Sequence, residues 1–401
     1  MNRETRQFIH ENCNANVHEL ALKSARFPLV DMPLAIRQIN GKQKIKTKIP
    51  LFYNNNDLLY PVQLSLEQSS SESTAKYKST LCEGNTLVDL TGGFGVDCYF
   101  LAEHFKQVAY VERHAELCSL AEHNFSALGR NNIEVFQADA EKYLATMEPV
   151  DWIFIDPARR SETGKKVVLL SDCEPDVSAL SPLLLQKATR VMMKLSPMMD
   201  ITAALKELPT TGEVHIISVD NECKEVLLIL NQSKLEKTSI KTINITKNNE
   251  NRLFEYDLIE ESTAEIRLTS DIKTYLYEPN ASIMKSGGFK TIGSRFNLYK
   301  IHINTHLYTS FELSLQFPGR VFEVVKVWNN SKPELKELLQ HVPKANITTR
   351  NYPIGTDELR KKLKIKEGGD SYLFACTLEN DRKVIIECRK MKKQDISKAS
   401  K

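Results

Sequence analysis

The stretch Asp89-Leu90-Thr91-Gly92-Gly93-Phe94-Gly95-Val96-Asp97 constrains this chain more than any other. It follows the apolar run Thr86-Leu87-Val88 and opens an amphipathic segment, so it reads as a strand, a tight turn and a helix start. Glycine lets a backbone turn sharply and lets a ligand come close, where any Cβ would obstruct it. Asp89 at the end of the strand can hold a polar or charged ligand group. Taken alone, the turn could equally serve a nicotinamide cofactor or be a generic α/β connection.

The following residues repeat the pattern. Val108-Ala109-Tyr110-Val111 ends at Glu112, about 20 residues after the glycines, where a carboxylate takes ribose hydroxyls. A helix is expected from His114 to Leu128. A third strand, Ile133 to Phe136, leads to Asp139, and a fourth, Trp152-Ile153-Phe154-Ile155, runs into Asp156-Pro157-Ala158-Arg159-Arg160. Four strand ends in succession thus carry a polar residue on one edge of a parallel sheet, the edge where open α/β folds bind ligands.

This order resembles the class I S-adenosylmethionine-dependent methyltransferases over roughly residues 60–235. The resemblance implies S-adenosyl-L-methionine as cofactor. Asp89, Gly92, Gly93 and Gly95 match the motif around its methionine part, Glu112 the ribose carboxylate and Asp139 the residue beside adenine. Asp156-Pro157 matches the fourth motif at the reaction centre, so Asp156 counts with both the cofactor and the catalytic residues. A dehydrogenase would prefer Gly-x-Gly-x-x-Gly and no Asp-Pro at strand four. Further strands are expected at Val191 to Leu195 (five), Val214 to Val219 (six) and Glu225 to Leu230 (seven), the last two antiparallel. The fold class is therefore α/β, a Rossmann-like, mostly parallel methyltransferase sheet with an antiparallel last strand.

Length and composition agree. A chain of 401 residues with 41% hydrophobic and 26% charged residues suggests two or three ordinary globular domains. No apolar run reaches the roughly 20 residues that span a bilayer, and the polar start Met1-Asn2-Arg3-Glu4-Thr5 lacks a signal core. Eight cysteines without a Cys-x-x-Cys pair suggest neither zinc nor a disulfide framework, and reduced thiols in a cytoplasm are the expectation. No metal and no membrane partner are expected; the sequence leaves the oligomeric state open.

Residues 1–80 are expected to be helical, with Asn14 capping a helix through Lys23 and a Ser-capped helix just before strand one. Residues 81–235 form the cofactor-binding domain. Thr238 to Asn251 reads as a loop or hairpin near a domain boundary. Residues 275–320 and 321–395 follow as two smaller pieces, the second with strand, helix, strand, helix and hairpin, and with Gly368-Gly369 as the turn before the hairpin. Asn351-Tyr352-Pro353, Asp357 to Leu363 and Glu367 to Phe374 make this tail similar to the THUMP-like α+β module of a group of bacterial methyltransferases, and the block before it resembles their ferredoxin-like piece. THUMP domains help bind structured RNA, though they usually precede the methyltransferase domain.

Charge points the same way. From Arg320 to Lys401 there are nineteen Lys/Arg against eleven Asp/Glu, in a chain whose net charge is only +3. Arg360, Lys361 and Lys362, together with Arg159 and Arg160, are the expected contacts to an RNA substrate. A basic run taken alone is more often a solvated face.

Two acceptor chemistries remain open. Methylation of an exocyclic base amine would use Asp156-Pro157, but Ala158 and Arg159 stand where a second proline and an aromatic are expected. Ribose 2′-O methylation uses, in one family, a Lys-Asp-Lys-Glu set in which a lysine with a depressed pKa steers the hydroxyl. Lys76 or Lys78, then Asp156, Lys194 and Glu225 occur here in that order. Lysines and carboxylates are abundant, and chance or simple ion pairing explains such a match more often than not. A cysteine nucleophile is disfavoured, since Ser196-Pro197 stands where it is expected and Cys223 is remote; His215 reads as a core residue. The function expected is methyl transfer to a base nitrogen or ribose 2′-O of tRNA or rRNA. The alternatives are a protein or small-molecule methyltransferase, or a nonenzymatic RNA-binding protein that kept the pocket.

Overall fold

The computed structural model describes residues 1–159, 169–247 and 251–391. The chain divides into two compact units, Met1–Val214 with Glu225–Glu236, and His215–Lys224 with Lys237–Lys401.

The first unit opens with short helices: α1 (Arg3–Glu11), α2 (Val17–Leu22), α3 (Met32–Ile45), α4 (Pro50–Asn54), α5 (Gln63–Gln68) and α6 (Glu72–Ser79). The expected cap at Asn14 is displaced. Asn16 caps the expected helix, here α2, in place of Asn14, and Asn2 caps α1 before it, each side chain accepting from a backbone N–H of the first turn. Ser71 caps α6 through the Thr74 N–H at 3.3 Å. Phe52 on α4 packs edge-on against Phe94 and Tyr99, which ties this helical layer to the glycine turn and the helix after it.

That sheet alternates strands and helices: β1 (Gly84–Asp89), α7 (Val96–Leu101), β2 (Phe105–Glu112), α8 (Ala115–Ala127), β3 (Ile133–Gln137), α9 (Ala140–Thr146) and β4 (Val150–Ile155). A two-residue ribbon, β5 (Ala158–Arg159) with β6 (Cys173–Glu174), precedes α10 (Val177–Lys187), β7 (Ala188–Leu195), α11 (Ile201–Glu207), β8 (Thr211–Val219) and β9 (Glu222–Asn231). The unit division falls inside β8 and β9. Within the first unit the strands lie in the order β9-β7-β4-β1-β2-β3, all parallel except β9, which runs antiparallel to β7 with Leu195 opposite Val226. The central strands are apolar because helices cover both faces; Ile153, Phe154, Ile155 and Val191 to Met193 are all buried.

In the second unit β10 (Ser239–Ile245) and β11 (Arg252–Asp257) pair as an antiparallel hairpin, followed by α12 (Leu258–Thr263). Then come β12 (Arg267–Leu268), β13 (Tyr275–Pro279), α13 (Ala281–Ser286), α14 (Phe289–Arg295), β14 (Tyr299–Lys300), β15 (Tyr308–Ser310), β16 (Gly319–Asn329), α15 (Lys332–His341), β17 (Lys344–Arg350), α16 (Thr356–Leu363), β18 (Lys366–Thr377) and β19 (Lys383–Lys390). Their sheet runs β12-β14-β15-β13-β16-β19-β18-β17. Gly368 and Gly369 are not the turn before the hairpin. They lie inside β18, both at positive φ, where the register against β17 slips between Ala345 and Asn346. Buried Glu278 on β13 takes Arg320 and Arg350, so an ion triad closes this unit.

Candidate active site

The three glycines of the turn do different things. A Cβ on Gly92 would stand 2.1 Å from the Tyr110 ring, and one on Gly95 would stand 2.8 Å from Phe125 at a φ of +80°. Both glycines are required by the packing of β2 and α8 behind the turn. Gly93, at φ +56°, has only the Thr91 carbonyl within reach of its Cβ, at 3.8 Å. Its outer side is open space, where a ligand can approach the backbone.

Carboxylates frame that opening. Asp89 ends β1 and accepts the Thr91 N–H at 3.0 Å. Glu112 ends β2, accepting the Gly93 N–H at 3.1 Å and the His114 N–H at 2.9 Å, so it fixes the turn from the neighbouring strand. Asp139 follows β3 and caps α9 through the N–H groups of Glu141 and Lys142, its side chain exposed at the same edge. Thr91 links the turn to β4, its hydroxyl accepting the Asp156 N–H at 2.6 Å.

Behind the turn lies a network of ions, buried except for the partly exposed Asp156. Lys78, fully buried on α6, donates to both Glu225 oxygens at 2.8 and 3.0 Å and to Ser70 at 3.0 Å, and pairs with Asp97 at 3.0 Å. Lys194 on β7 donates to Asp156 and lies 3.9 Å from Asp97. The Ser70 hydroxyl donates to Asp97 at 2.6 Å. Asp97, in the first turn of α7, is thus the carboxylate both lysines share. Lys76, the other candidate before strand one, instead pairs with Glu72 on the surface of its own helix.

These contacts set the protonation states. Burial opposes the charge on Lys194, but Asp156 first, then Asp97 and Glu225, outweigh it and hold the ammonium above its ordinary range. A lysine with a depressed pKa is therefore not what the carboxylates make; they stabilise its charged form. Burial likewise opposes the Asp97 carboxylate, and Lys78 with Lys194 overcomes it, keeping the group below the usual carboxylate range. Asp89 goes the other way. Burial raises it well above the usual range, and Asp97, Asp156 and Glu112 add to the rise against the opposing Thr91 hydrogen bond.

The expected residues Asp89, Gly92, Gly93, Gly95, Glu112, Asp139 and Asp156 all lie at the turn or at strand ends of the first unit, with Lys194 and Glu225 joined through the network behind them. Arg360, Lys361 and Lys362 lie elsewhere, in the last turn of α16 in the second unit. Lys361 and Lys362 are exposed there, while Arg360 pairs with Glu367 at 3.2 Å. The Arg159 side chain and Arg160 lie outside the described residues. Cys223 is half-buried within β9, and His215 is buried within β8. Among the described residues no cluster of His, Cys, Asp and Glu is arranged to hold a metal ion, and no helix is long and apolar enough to cross a membrane.

Residues 275–318 match a family model described as a ferredoxin-like domain, and residues 319–390 match one described as THUMP domain-like. The crystal structure of a "putative methyltransferase" from Porphyromonas gingivalis W83 is 34% identical, with a TM-score of 0.88, over 97% of this chain and 98% of that one. The chain belongs to the THUMP-like methyltransferase family. A "putative methyltransferase" from Streptococcus mutans in complex with SAH (14% identity, TM-score 0.30) covers 40% of this chain and 96% of its own. An rRNA methylase from Streptococcus thermophilus (17% identity, TM-score 0.30) covers 41% and 96%. No curated protein matches.

For this member of the THUMP-like methyltransferase family, the residues the sequence reading missed are Asp97, Ser70 and Thr91. Asp97 was inside the glycine stretch, two residues past Gly95. An acidic side chain on an apolar helix start, among Val96, Cys98, Tyr99 and Phe100, was the available signal, since such a residue is buried only with a partner.

Proposed function

We propose that the protein transfers a methyl group from S-adenosyl-L-methionine to RNA and that the acceptor is a ribose 2′-hydroxyl. The observation that carries this reading is the pairing of Lys78 with Glu225 and of Lys194 with Asp156 around Asp97. The cofactor fits the residues present. Gly93 leaves the space that a Cβ would fill, and three carboxylates crowd Asp89. A ligand carrying an ammonium and a sulfonium relieves that crowding. Asp89 and Gly93 would hold its amino-acid part, Glu112 its ribose hydroxyls, and Asp139 would lie beside adenine. Bound there, the cofactor supplies an electrophilic methyl group.

The chain's own groups prepare the acceptor. The Lys194 ammonium donates to the acceptor oxygen and fixes its position. Asp156 would accept the hydroxyl proton as the O–H bond breaks, while the oxygen takes the methyl group from the cofactor's sulfonium and leaves a neutral thioether. Lys78 and Glu225 hold the floor of the site rigid. An exocyclic amine fits less well, because no aromatic follows Pro157 to stack a flipped base. RNA as the substrate class is supported by the THUMP-like match and by the basic C-terminal segment.

The test is transfer of labelled methyl from the cofactor to total tRNA and rRNA, followed by nucleoside mass spectrometry. A 2′-O-methylated nucleoside that disappears with Asp156→Ala is the expected result. A base-methylated product would move the acceptor to nitrogen. Methylated protein or small molecule in place of RNA would overturn the substrate class. RNA and cofactor binding without transfer would mark a nonenzymatic binding protein.

A further inference from the structure

The ion network holds three carboxylates and two lysines, one negative charge more than pairing needs. Lys78 has Glu225 and Lys194 has Asp156, so Asp97 is the surplus member. It is nine-tenths buried, and a buried carboxylate is costly unless something requires it. Neutralising two pairs does not require it.

Resting on the 2′-hydroxyl reading above, we infer that Asp97 is a positioning residue that keeps Lys194 in its ammonium form while Asp156 carries the acceptor's proton. Once Asp156 takes that proton it is neutral, and Lys194 loses the charge of the partner it touches. A buried ammonium without a counterion would then oppose the proton transfer itself. Asp97, 3.9 Å from Lys194, is then its main remaining negative neighbour, since Glu225, the other one, is held by both oxygens of its carboxylate on Lys78. Its other partners keep it in place for this. Ser70 donates to one oxygen at 2.6 Å, and Lys78 holds the other at 3.0 Å. Asp97 also lies two residues past Gly95, so the turn that cradles the cofactor and the charge that supports the acceptor lysine belong to one helix start.

The groups facing Asp97 come from five elements or the ends next to them: Ser70 and Lys78 from the α6 side, Asp89 from β1, Asp156 after β4, Lys194 from β7 and Glu225 from β9. Asp97→Asn removes one negative charge from this set and leaves both remaining lysine–carboxylate pairs intact. A carboxylate that loses a negative neighbour next to a lysine is a weaker base. The acid limb of the kcat profile should therefore move to lower pH, and the plateau should drop about tenfold to a hundredfold. KM for cofactor and for RNA should change less than about threefold. Asp97→Glu, which keeps the charge, should leave the acid limb where the wild type has it. An unmoved limb in Asp97→Asn, or a loss expressed only in KM, overturns the inference.

A second measurement does not depend on turnover or on Asp97→Asn folding. Asp156→Asn mimics the protonated carboxyl in the full-length chain. Titration of the Lys194 Nζ by 15N NMR should show the ammonium persisting through the ordinary lysine range of about 10.4 in Asp156→Asn, because Asp97, with Glu225 behind it, remains. An Nζ that loses its proton below that range in that variant sinks the inference even if the wild type methylates RNA. Persistence in a chain that methylates no RNA would sink the 2′-hydroxyl reading and leave the role of Asp97 as counterion standing.

Discussion

Charge is used in opposite ways at Lys78 and at Lys361. Lys78 is fully buried, with its ammonium distributed over Ser70, Asp97 and Glu225. Lys361 and Lys362 stand exposed in the last turn of α16, where the helix carbonyls complement them locally. A buried charge that has given up its water is held by specific partners and tolerates no loss of one. An exposed charge keeps its water, is screened by salt and is worth little to the fold. The first arrangement suits chemistry at fixed geometry; the second suits the loose capture of a polyanion.

The sharpest way to break this contrast is at the reaction centre. Asp156→Ala should lower turnover by about 10²–10⁴-fold, the usual contribution of a positioned proton acceptor, with cofactor affinity nearly unchanged by calorimetry. Glu225→Gln leaves Lys78 buried with one less counterion and should cost about 3–5 kcal/mol in urea unfolding. A loss below about 1 kcal/mol would mean that water reaches Lys78 and that the buried side of the contrast is wrong. Gly93→Val should fold, since its Cβ meets only open space, although the positive φ costs of order 1–3 kcal/mol. It should lose cofactor binding; wild-type affinity there would remove the pocket assignment.

Smaller effects sharpen the exposed side. The triple charge reversal R360E/K361E/K362E should leave thermal stability within about 1 kcal/mol, apart from the single Arg360–Glu367 pair. RNA affinity should fall, and the slope of log K against log salt should flatten by about 0.7–0.9 for each phosphate that is no longer neutralised. An unchanged salt slope would make α16 a solvated face. The smallest effect belongs to Asp89. Its folded pKa is raised, so its contribution to stability is complete below the unfolded value of about 3.9 and fades as pH rises through the raised folded value. A cationic cofactor favours the ionised form, so thermal stabilisation by S-adenosyl-L-methionine should grow over the same rise in pH. Stabilisation that is flat with pH would separate Asp89 from the ligand.

The sheet edge was legible in the sequence because each strand ends on a polar residue after an apolar run, and a parallel sheet brings such ends to one side. The helix cap at Asn16 and the bulge at Gly368-Gly369 were not. Asn14 and Asn16 are equally good caps by type, and only the start of the following helix chooses between them. The two glycines read as a turn by composition, whereas their place inside β18 depends on the register of a strand more than twenty residues upstream. Lys194 and Glu225 could be named by order alone, but the protonation of Lys194 could not. Three carboxylates from three elements set it, Asp97 among them, and no local pattern carries that sum.

The Lys78–Glu225 contact joins residues 147 apart. During synthesis Lys78 emerges long before the strand that will neutralise it, and at about 5–20 residues per second that interval is on the order of ten seconds. Over that time only Ser70 and Asp97 of its final partners are present, so α6 is held against the sheet less firmly while the chain is still short. Assembly of this unit is therefore completed by an electrostatic event late in translation, and a ribosome paused just before Glu225 should carry a nascent chain that proteases cut at α6 more readily than in the finished protein.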